Sequence, residues 1–170
     1  EKGKLIEQLT EDGFAILNYD DLPTRKLANK TKAEVIYYGT DAKHCNVWAD
    51  KIQIKDLMTS FQLNYGVERV EINSKLLGSH QVYPLLAAAC LGISTGISLT
   101  TIKKGLERVE PEAHRMEVFE GFNGSIIIDD TYNAAFTAVE EALETLNRIS
   151  ARRRIAVLGE MIELGGMSEK

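Results

Sequence analysis

The chain has 170 residues, enough for one domain or two small ones. A hydrophobic share of 44% supports a packed core, and a net charge of −5 lacks the basic excess of a general nucleic-acid binder. No apolar run reaches the length of about 18 residues that a membrane span requires, and no signal peptide is read.

The first residues, Lys2 to Leu9, carry apolar side chains at helical spacing, and Asp12-Gly13 then marks a turn. The chain opens on Glu1 rather than Met, inside this helical pattern, so it is expected to be a piece of a longer protein. Phe14-Ala-Ile-Leu17 predicts a short strand. Asn18-Tyr-Asp-Asp21 stands at its C-terminal end, where Asp20 or Asp21 can cap a short helix over 22–29. Glu34-Val-Ile-Tyr-Tyr38 predicts a second strand, closed by Gly39.

Between 46 and 73 the pattern changes to apolar–polar alternation over 47–54, 60–65 and 67–72, which is that of antiparallel strands with one wet face. Helices are predicted over about 80–93 and 98–107. The first is nearly all small and apolar (Leu85, Leu86, Ala87, Ala88, Ala89, Leu91) and is expected to be buried. Cys45 and Cys90 match no metal or redox spacing. Cys90 reads as a small core residue, and reduced thiols suit a cytosolic protein.

Glu110-Pro-Glu112 reads as a linker, since Pro111 disfavours helix in the residue before it. Beyond it the pattern predicts strand 116–120, a turn from Gly121 to Gly124, strand 125–129, helix 134–148 and strand 154–159. A strand–helix–strand order implies a right-handed crossover and the start of an α/β domain. The basic run Arg152-Arg153-Arg154 reads as a solvated lead-in to the last strand.

Four segments in order resemble motifs of the Mur ligase family. Ala15-Ile-Leu-Asn-Tyr-Asp-Asp21 is similar to an apolar strand ending in Asn-Ala-Asp-Asp. Gly78-Ser-His-Gln-Val-Tyr-Pro-Leu-Leu-Ala-Ala88 is similar to Gly-x-His-Asn-x-x-Asn-x-Leu-Ala-Ala. His114-Arg-Met-Glu117 and Ile127-Ile-Asp-Asp-Thr-Tyr-Asn-Ala134 resemble Gly-Arg-Met-Glu followed by Ile-Asp-Asp-Ser-Tyr-Asn-Ala-Asn-Pro. Ala156-Val-Leu-Gly-Glu-Met-Ile-Glu-Leu-Gly165, with Ser168, resembles Ala-Val-Leu-Gly-Asp-Met-x-Glu-Leu-Gly and its later Ser. Each motif is weak alone, but together, at workable spacing over nearly the whole chain, they are specific. They lie nearest to the branch that adds D-alanyl-D-alanine to a UDP-muramoyl tripeptide.

The resemblance implies an α/β fold: residues 1–110 as the C-terminal part of a central ATP-binding domain, a mixed sheet with an antiparallel portion and helices, and 111–170 as the start of a Rossmann-like C-terminal domain. It implies a cytoplasmic ligase that uses ATP and Mg2+ to join a UDP-N-acetylmuramoyl-peptide to an amino acid or D-Ala-D-Ala through an acyl phosphate. The family's Gly-x-x-x-x-Gly-Lys-Thr/Ser loop, which cradles ATP phosphates, does not occur in these 170 residues. The chain by itself is therefore expected to be inactive.

By the same resemblance, Lys2 matches a lysine that becomes a carbamate. That change turns a cation into an oxygen ligand suited to magnesium. Arg115 matches an arginine that reaches ATP phosphates, and Asp130 an aspartate that contacts the nucleotide. His80 and Gln81 match the adenine-side pair, and Tyr132 and Asn133 the motif's Tyr-Asn. Asn18 and Asp21 lie at a strand's C-terminal end, where open α/β sheets place ligands. Glu160 and Glu163 match a stretch that faces the cleft.

Plainer readings stand beside these. Lys2 is an exposed terminal lysine, Asp21 a turn or cap residue, His80 a helix-start residue with a local hydrogen bond, and Asp129-Asp130 a helix cap. Glu160 and Glu163 are then surface acids. Gln81 replaces the family's first Asn, Pro84 its second, and Ala135-Phe136 its Asn-Pro. These departures leave open a degenerate member that binds nucleotide or a partner without catalysis. A sister ligase of folylpolyglutamate or cyanophycin synthetase type is disfavoured by the Asp-Asp-Thr-Tyr-Asn and Gly-Glu-Met-x-Glu-Leu-Gly segments.

Overall fold

The alternating stretch folds as the periodicity requires. In the computed structural model, which describes residues 2–161 and side chains from Gly3 onward, strands β3 (Val47–Lys55), β4 (Met58–Tyr65) and β5 (Glu68–Ser74) form an antiparallel meander. Odd-numbered positions of β4 point inward: Thr59, Phe61 and Leu63 are buried while Ser60 and Gln62 are only partly so. This is the period of two that a half-wet sheet imposes. The β3–β4 hairpin turns through Asp56 and Leu57 with φ of 51° and 61°, the sense of a two-residue turn that matches strand twist.

The upstream residues add parallel strands to the same sheet. Helix α1 (Lys2–Glu7) leads to β1 (Phe14–Asn18), the short helix α2 (Leu22–Arg25), a 3-10 turn and β2 (Glu34–Gly39). The five strands lie in the order β1-β2-β3-β4-β5, with β1–β2 and β2–β3 parallel. The β2–β3 pairing is confined to Tyr38↔Val47 and Gly39↔Trp48, so β3 starts where β2 ends.

Helix α3 (Val82–Ser94) closes the core, with α4 (Leu99–Leu106) beside it. Leu85, Leu86, Ala89 and Cys90 pack on Val47, Ala49, Phe61, Leu63 and Ile72, while Leu99, Ile102 and Leu106 complete the cluster. Burial of α3 is one-sided, contrary to the expectation from its composition: Ala88 and Leu91 are exposed. The sheet covers only one helical stripe, and small alanines on the other face cost little when wet. Burial pushes the Cys90 thiol up to about 12, in keeping with a small inert core residue.

The second unit is smaller. Strands β6 (Glu117–Glu120) and β7 (Ile126–Asp129) form an antiparallel pair, followed by α5 (Phe136–Arg148). The predicted strand 154–159 is not formed, and Ile155, Val157 and Leu158 are 63%, 93% and 62% exposed. An apolar run becomes a strand only when another strand takes up its backbone groups. Among the described residues β7 is paired to β6 alone, and the chain after α5 is drawn back by Arg154, whose guanidinium donates to the Ile149 carbonyl at 2.7 and 3.0 Å.

The meander and α3 hold the fold together. Phe61 is 1% exposed at the centre of the cluster, so Phe61→Ala is expected to lower unfolding free energy by about 3–5 kcal/mol. Denaturant titration followed by far-UV circular dichroism measures this.

Candidate functional site

The matched residues fall into three groups, the first at the turn before α3. The turn before it is set by Gly78, whose φ of 118° is one that L side chains rarely adopt. A Cβ there would lie 2.5 Å from His80 Cε1 and 3.1 Å from Thr145 Oγ1, so no other residue fits between the two units. Buried Thr59 on β4 clasps the turn: its Oγ1 accepts from the Gly78 amide at 2.9 Å and donates to the Gly78 carbonyl at 3.4 Å. The following 3-10 turn (Ser79–Gln81) presents His80 and Gln81, and the Gln81 side-chain nitrogen lies 3.3 Å from His80 Nε2. Pro84 falls in the first turn of α3, where a missing N–H costs least.

His80 is flanked by the second unit. Glu141 on α5 brings an oxygen to 3.7 Å from Nδ1, yet among the described residues neither Nδ1 nor the buried Thr145 hydroxyl has a hydrogen-bond partner. Burial pushes the His80 imidazole below its ordinary value, opposed by the Glu141 and Asp130 carboxylates. The second unit thus contributes both carboxylates that act on this ring. The local hydrogen bond expected of a helix-start histidine is supplied by Gln81 alone.

A second group lies at the C-terminal end of β1 and β2. Asp21 is a cap: its Oδ2 accepts from the Thr24 amide at 2.8 Å, and the Thr24 side chain together with that amide holds its carboxyl below the usual range. Asn18 accepts from the Asp20 amide at 3.0 Å. The acid at the centre of this group is Asp20, whose Oδ2 accepts from Thr40 N and Oγ1 at 2.8 Å each and from the Tyr83 hydroxyl at 3.1 Å. Gly39 makes room for it, since a Cβ there would sit 2.8 Å from Asp20 Oδ1. Burial, with the Asp20 charge beside it, pushes Tyr83 up to about 12, so Tyr83 stays a donor. Tyr83 belongs to α3, so the Asp20 network ties the strand ends to the turn bearing His80. Asp20 and Tyr83 both lay inside matched motifs. The cue in the sequence was the doubled acid, but Asp20 and Asp21 differ only by which strand end and which helix start they face.

The third group belongs to the second unit. The Arg115 guanidinium lies 4.0 Å above the Tyr132 ring, a cation–π pair that leaves its N–H groups free to point outward. His114 Nδ1 lies 2.8 Å from Asp129 Oδ2, and Asp129 Oδ1 accepts from the Thr131 amide at 3.0 Å. Asp130 accepts from the Met116 amide at 3.1 Å. Neither acid caps α5, as the plain reading of that pair had it: the N-cap is Ala135, with no side-chain bond. The reason is distance along the chain, since Asp129 ends β7 and the loop through Asn133 intervenes. Asn133 accepts from the Ala134 amide at 2.9 Å, and Glu160 is exposed. Lys2 begins α1, but its side chain, like Glu163 and Ser168, lies outside the described residues. Among the described residues no three His, Cys, Asp or Glu side chains come together to hold a metal ion.

This arrangement, a mixed sheet backed by α3 with a small α/β unit seated on the turn before it, is that of known enzymes. A crystal structure of MurF from Acinetobacter baumannii superposes with a TM-score of 0.79 at 25% identity, covering 88% of this chain and 32% of that one. The family profiles "Mur ligase middle domain" and "Mur ligase, glutamate ligase domain" match residues 1–92 and 114–170. The chain belongs to the Mur ligase family. It is 36% identical over 165 residues to UDP-N-acetylmuramoyl-L-alanyl-D-glutamate–2,6-diaminopimelate ligase of Geobacillus thermodenitrificans, covering 93% of this chain. It is 32% identical over 171 residues to UDP-N-acetylmuramoyl-tripeptide–D-alanyl-D-alanine ligase of Mycobacterium bovis, covering 96%. The chain spans 33% of the length of each of these relatives.

The His114–Asp129 clasp is expected to work within a pH window. Its hydrogen bond raises His114 above an ordinary value of 6.5 and lowers Asp129 below 3.8. The raised imidazole stabilises the fold fully below pH 6.5, and that contribution is lost as pH rises through the folded value. The lowered carboxyl contributes above 3.8, and its share is lost as pH falls. NMR titration should therefore show His114 titrating above His80, and His114→Ala should remove the high-pH change at Asp129.

Proposed function

We propose that the chain is part of an ATP-dependent acid–amine ligase of peptidoglycan precursor synthesis. It would act in the cytoplasm on a UDP-N-acetylmuramoyl-peptide and join it to an amino acid or D-Ala-D-Ala. The observation that carries this reading is the meeting of the family's motifs at one place: His80 and Gln81 at the start of α3, with Glu141 of the second unit beside them and Asp130 near enough to act on the same ring.

His80, Gln81 and Asp130 are the residues proposed to hold the nucleotide, with Asn18, Asp21, Tyr132 and Asn133 around them. Asp21 and Asn18 spend side-chain oxygens on their own turn, so their part is to shape the strand end. ATP supplies the phosphoryl group that activates a carboxylate as an acyl phosphate, which an amine then displaces. Repulsion between carboxylate and polyphosphate dominates such a barrier. Arg115 fits its relief: a guanidinium is always charged and forked, and here it is exposed and oriented by Tyr132.

Magnesium is assigned to a carbamate on Lys2. Among the described residues no three His, Cys, Asp or Glu side chains form a metal-binding group. A non-catalytic member of the family is the second reading, favoured by Pro84 and by the engagement of the Gln81 amide with His80.

In the full-length protein, Arg115→Ala is expected to slow ligation by orders of magnitude, with Arg115→Lys restoring part of the rate. A phosphate-release assay reads this, and activity within a few-fold of the parent would take Arg115 out of the site. Lys2→Ala in the same protein should lose activity and regain it with added short-chain carboxylic acids; full activity without them would reject the carbamate. The 170-residue chain alone, with no phosphate loop in its sequence, should turn over no ATP.

A further inference from the structure

The seat of α5 on the turn before α3 contains two buried polar atoms that have no partner among the described residues, His80 Nδ1 and Thr145 Oγ1. They face the same point: the position of a Gly78 Cβ would be 2.8 Å from His80 Nδ1 and 3.1 Å from Thr145 Oγ1. Glu141, one helical turn before Thr145, brings a carboxylate oxygen to 3.7 Å from the same nitrogen. On the other side of the ring the Gln81 side-chain nitrogen stands 3.3 Å from Nε2. With its amide nitrogen turned toward the ring, Gln81 donates and Nε2 accepts, which places the proton of a neutral ring on Nδ1, toward α5.

We infer that Glu141 and Thr145 are positioning residues that act through His80: α5 of the second unit holds the imidazole as its Nδ1–H tautomer, and the ring in turn holds the Gln81 amide. How the second unit is seated is thereby read at Gln81. The groups that bear on the ring are Glu141 and Thr145 from α5, Asp130 from the loop after β7, and Gln81 from its own turn. Glu141 favours a proton on the side it faces. Thr145 can accept from Nδ1–H after a small approach of the helix, or share a water with it. The link to nucleotide binding rests on the function proposed above, whereas the tautomer does not.

The test is a long-range nitrogen–proton NMR spectrum of the imidazoles in the 15N-labelled chain, with a pH titration. The expected result is a neutral His80 at pH 7.5 with its proton on Nδ1, titrating below His114. Glu141→Gln should lower its titration midpoint further and weaken the Nδ1–H preference; Glu141→Asp should recover part of both. Glu144→Gln, on the same helix but paired with Arg148, should leave the ring unchanged. An Nε2–H tautomer in the parent chain, or a His80 titration untouched by Glu141→Gln while the amide spectrum stays native, would overturn the inference. These spectra need no nucleotide. A lack of ADP-induced shifts at Gln81 in the full-length protein would instead count against the nucleotide reading alone.

Discussion

The arrangement of this chain depends on one clasp, that of buried Thr59 on the Gly78 turn. Thr59 lies in the middle of the meander and satisfies both backbone groups of Gly78. Gly78 has the one side chain that lets His80 and Thr145 approach from opposite units. Sheet, helix and second unit therefore meet at a single residue whose backbone conformation no L side chain adopts readily. Loss of the clasp would leave a buried hydroxyl and a buried amide unpaired, which is costly in an apolar interior.

Around that point the polar groups fall into two kinds. Asp20, Thr40 and Tyr83 form a network in which Asp20 Oδ2 accepts three hydrogen bonds and ties the ends of β1 and β2 to α3. Satisfied networks rigidify. The groups facing α5 are different: among the described residues His80 Nδ1 and Thr145 Oγ1 are buried and unpaired; within the second unit Arg115 rests on Tyr132 with its charge exposed. The proposed nucleotide site would draw on such unsatisfied capacity. The rigid network supplies the frame for it.

Much of the fold was legible in the sequence. The meander followed from alternation over 47–72, and the β1, β2 and α3 segments from short apolar runs with clear ends. What failed was the strand 154–159, because an apolar run states only that a segment wants to be covered, while a strand needs a partner on its edge. The burial of α3 was overread for a related reason: small residues are compatible with a core but do not require one, and Leu91 and Ala88 face outward. Among the candidate residues, motif matches name His80, Gln81, Arg115, Asp130 and Asp21, whereas the hydrogen bonds and charges around the start of α3 also involve Asp20, Tyr83 and Glu141. Spacing along the chain cannot tell which of two adjacent carboxylates faces a strand 20 residues away.

The sequence alone determined the family, the order and type of nearly every element, and the residue types available for chemistry, because periodicity and motif spacing are local properties of the chain. The tertiary structure decided which of those residues are free. Asp21 is consumed by a helix cap, Asp129 by His114 and Asp20 by Thr40 and Tyr83. His80 is left with an unpaired nitrogen facing α5. Hydrogen bonds saturate, so a side chain's role is settled by what it already holds, and that is a matter of distances between segments far apart in the chain.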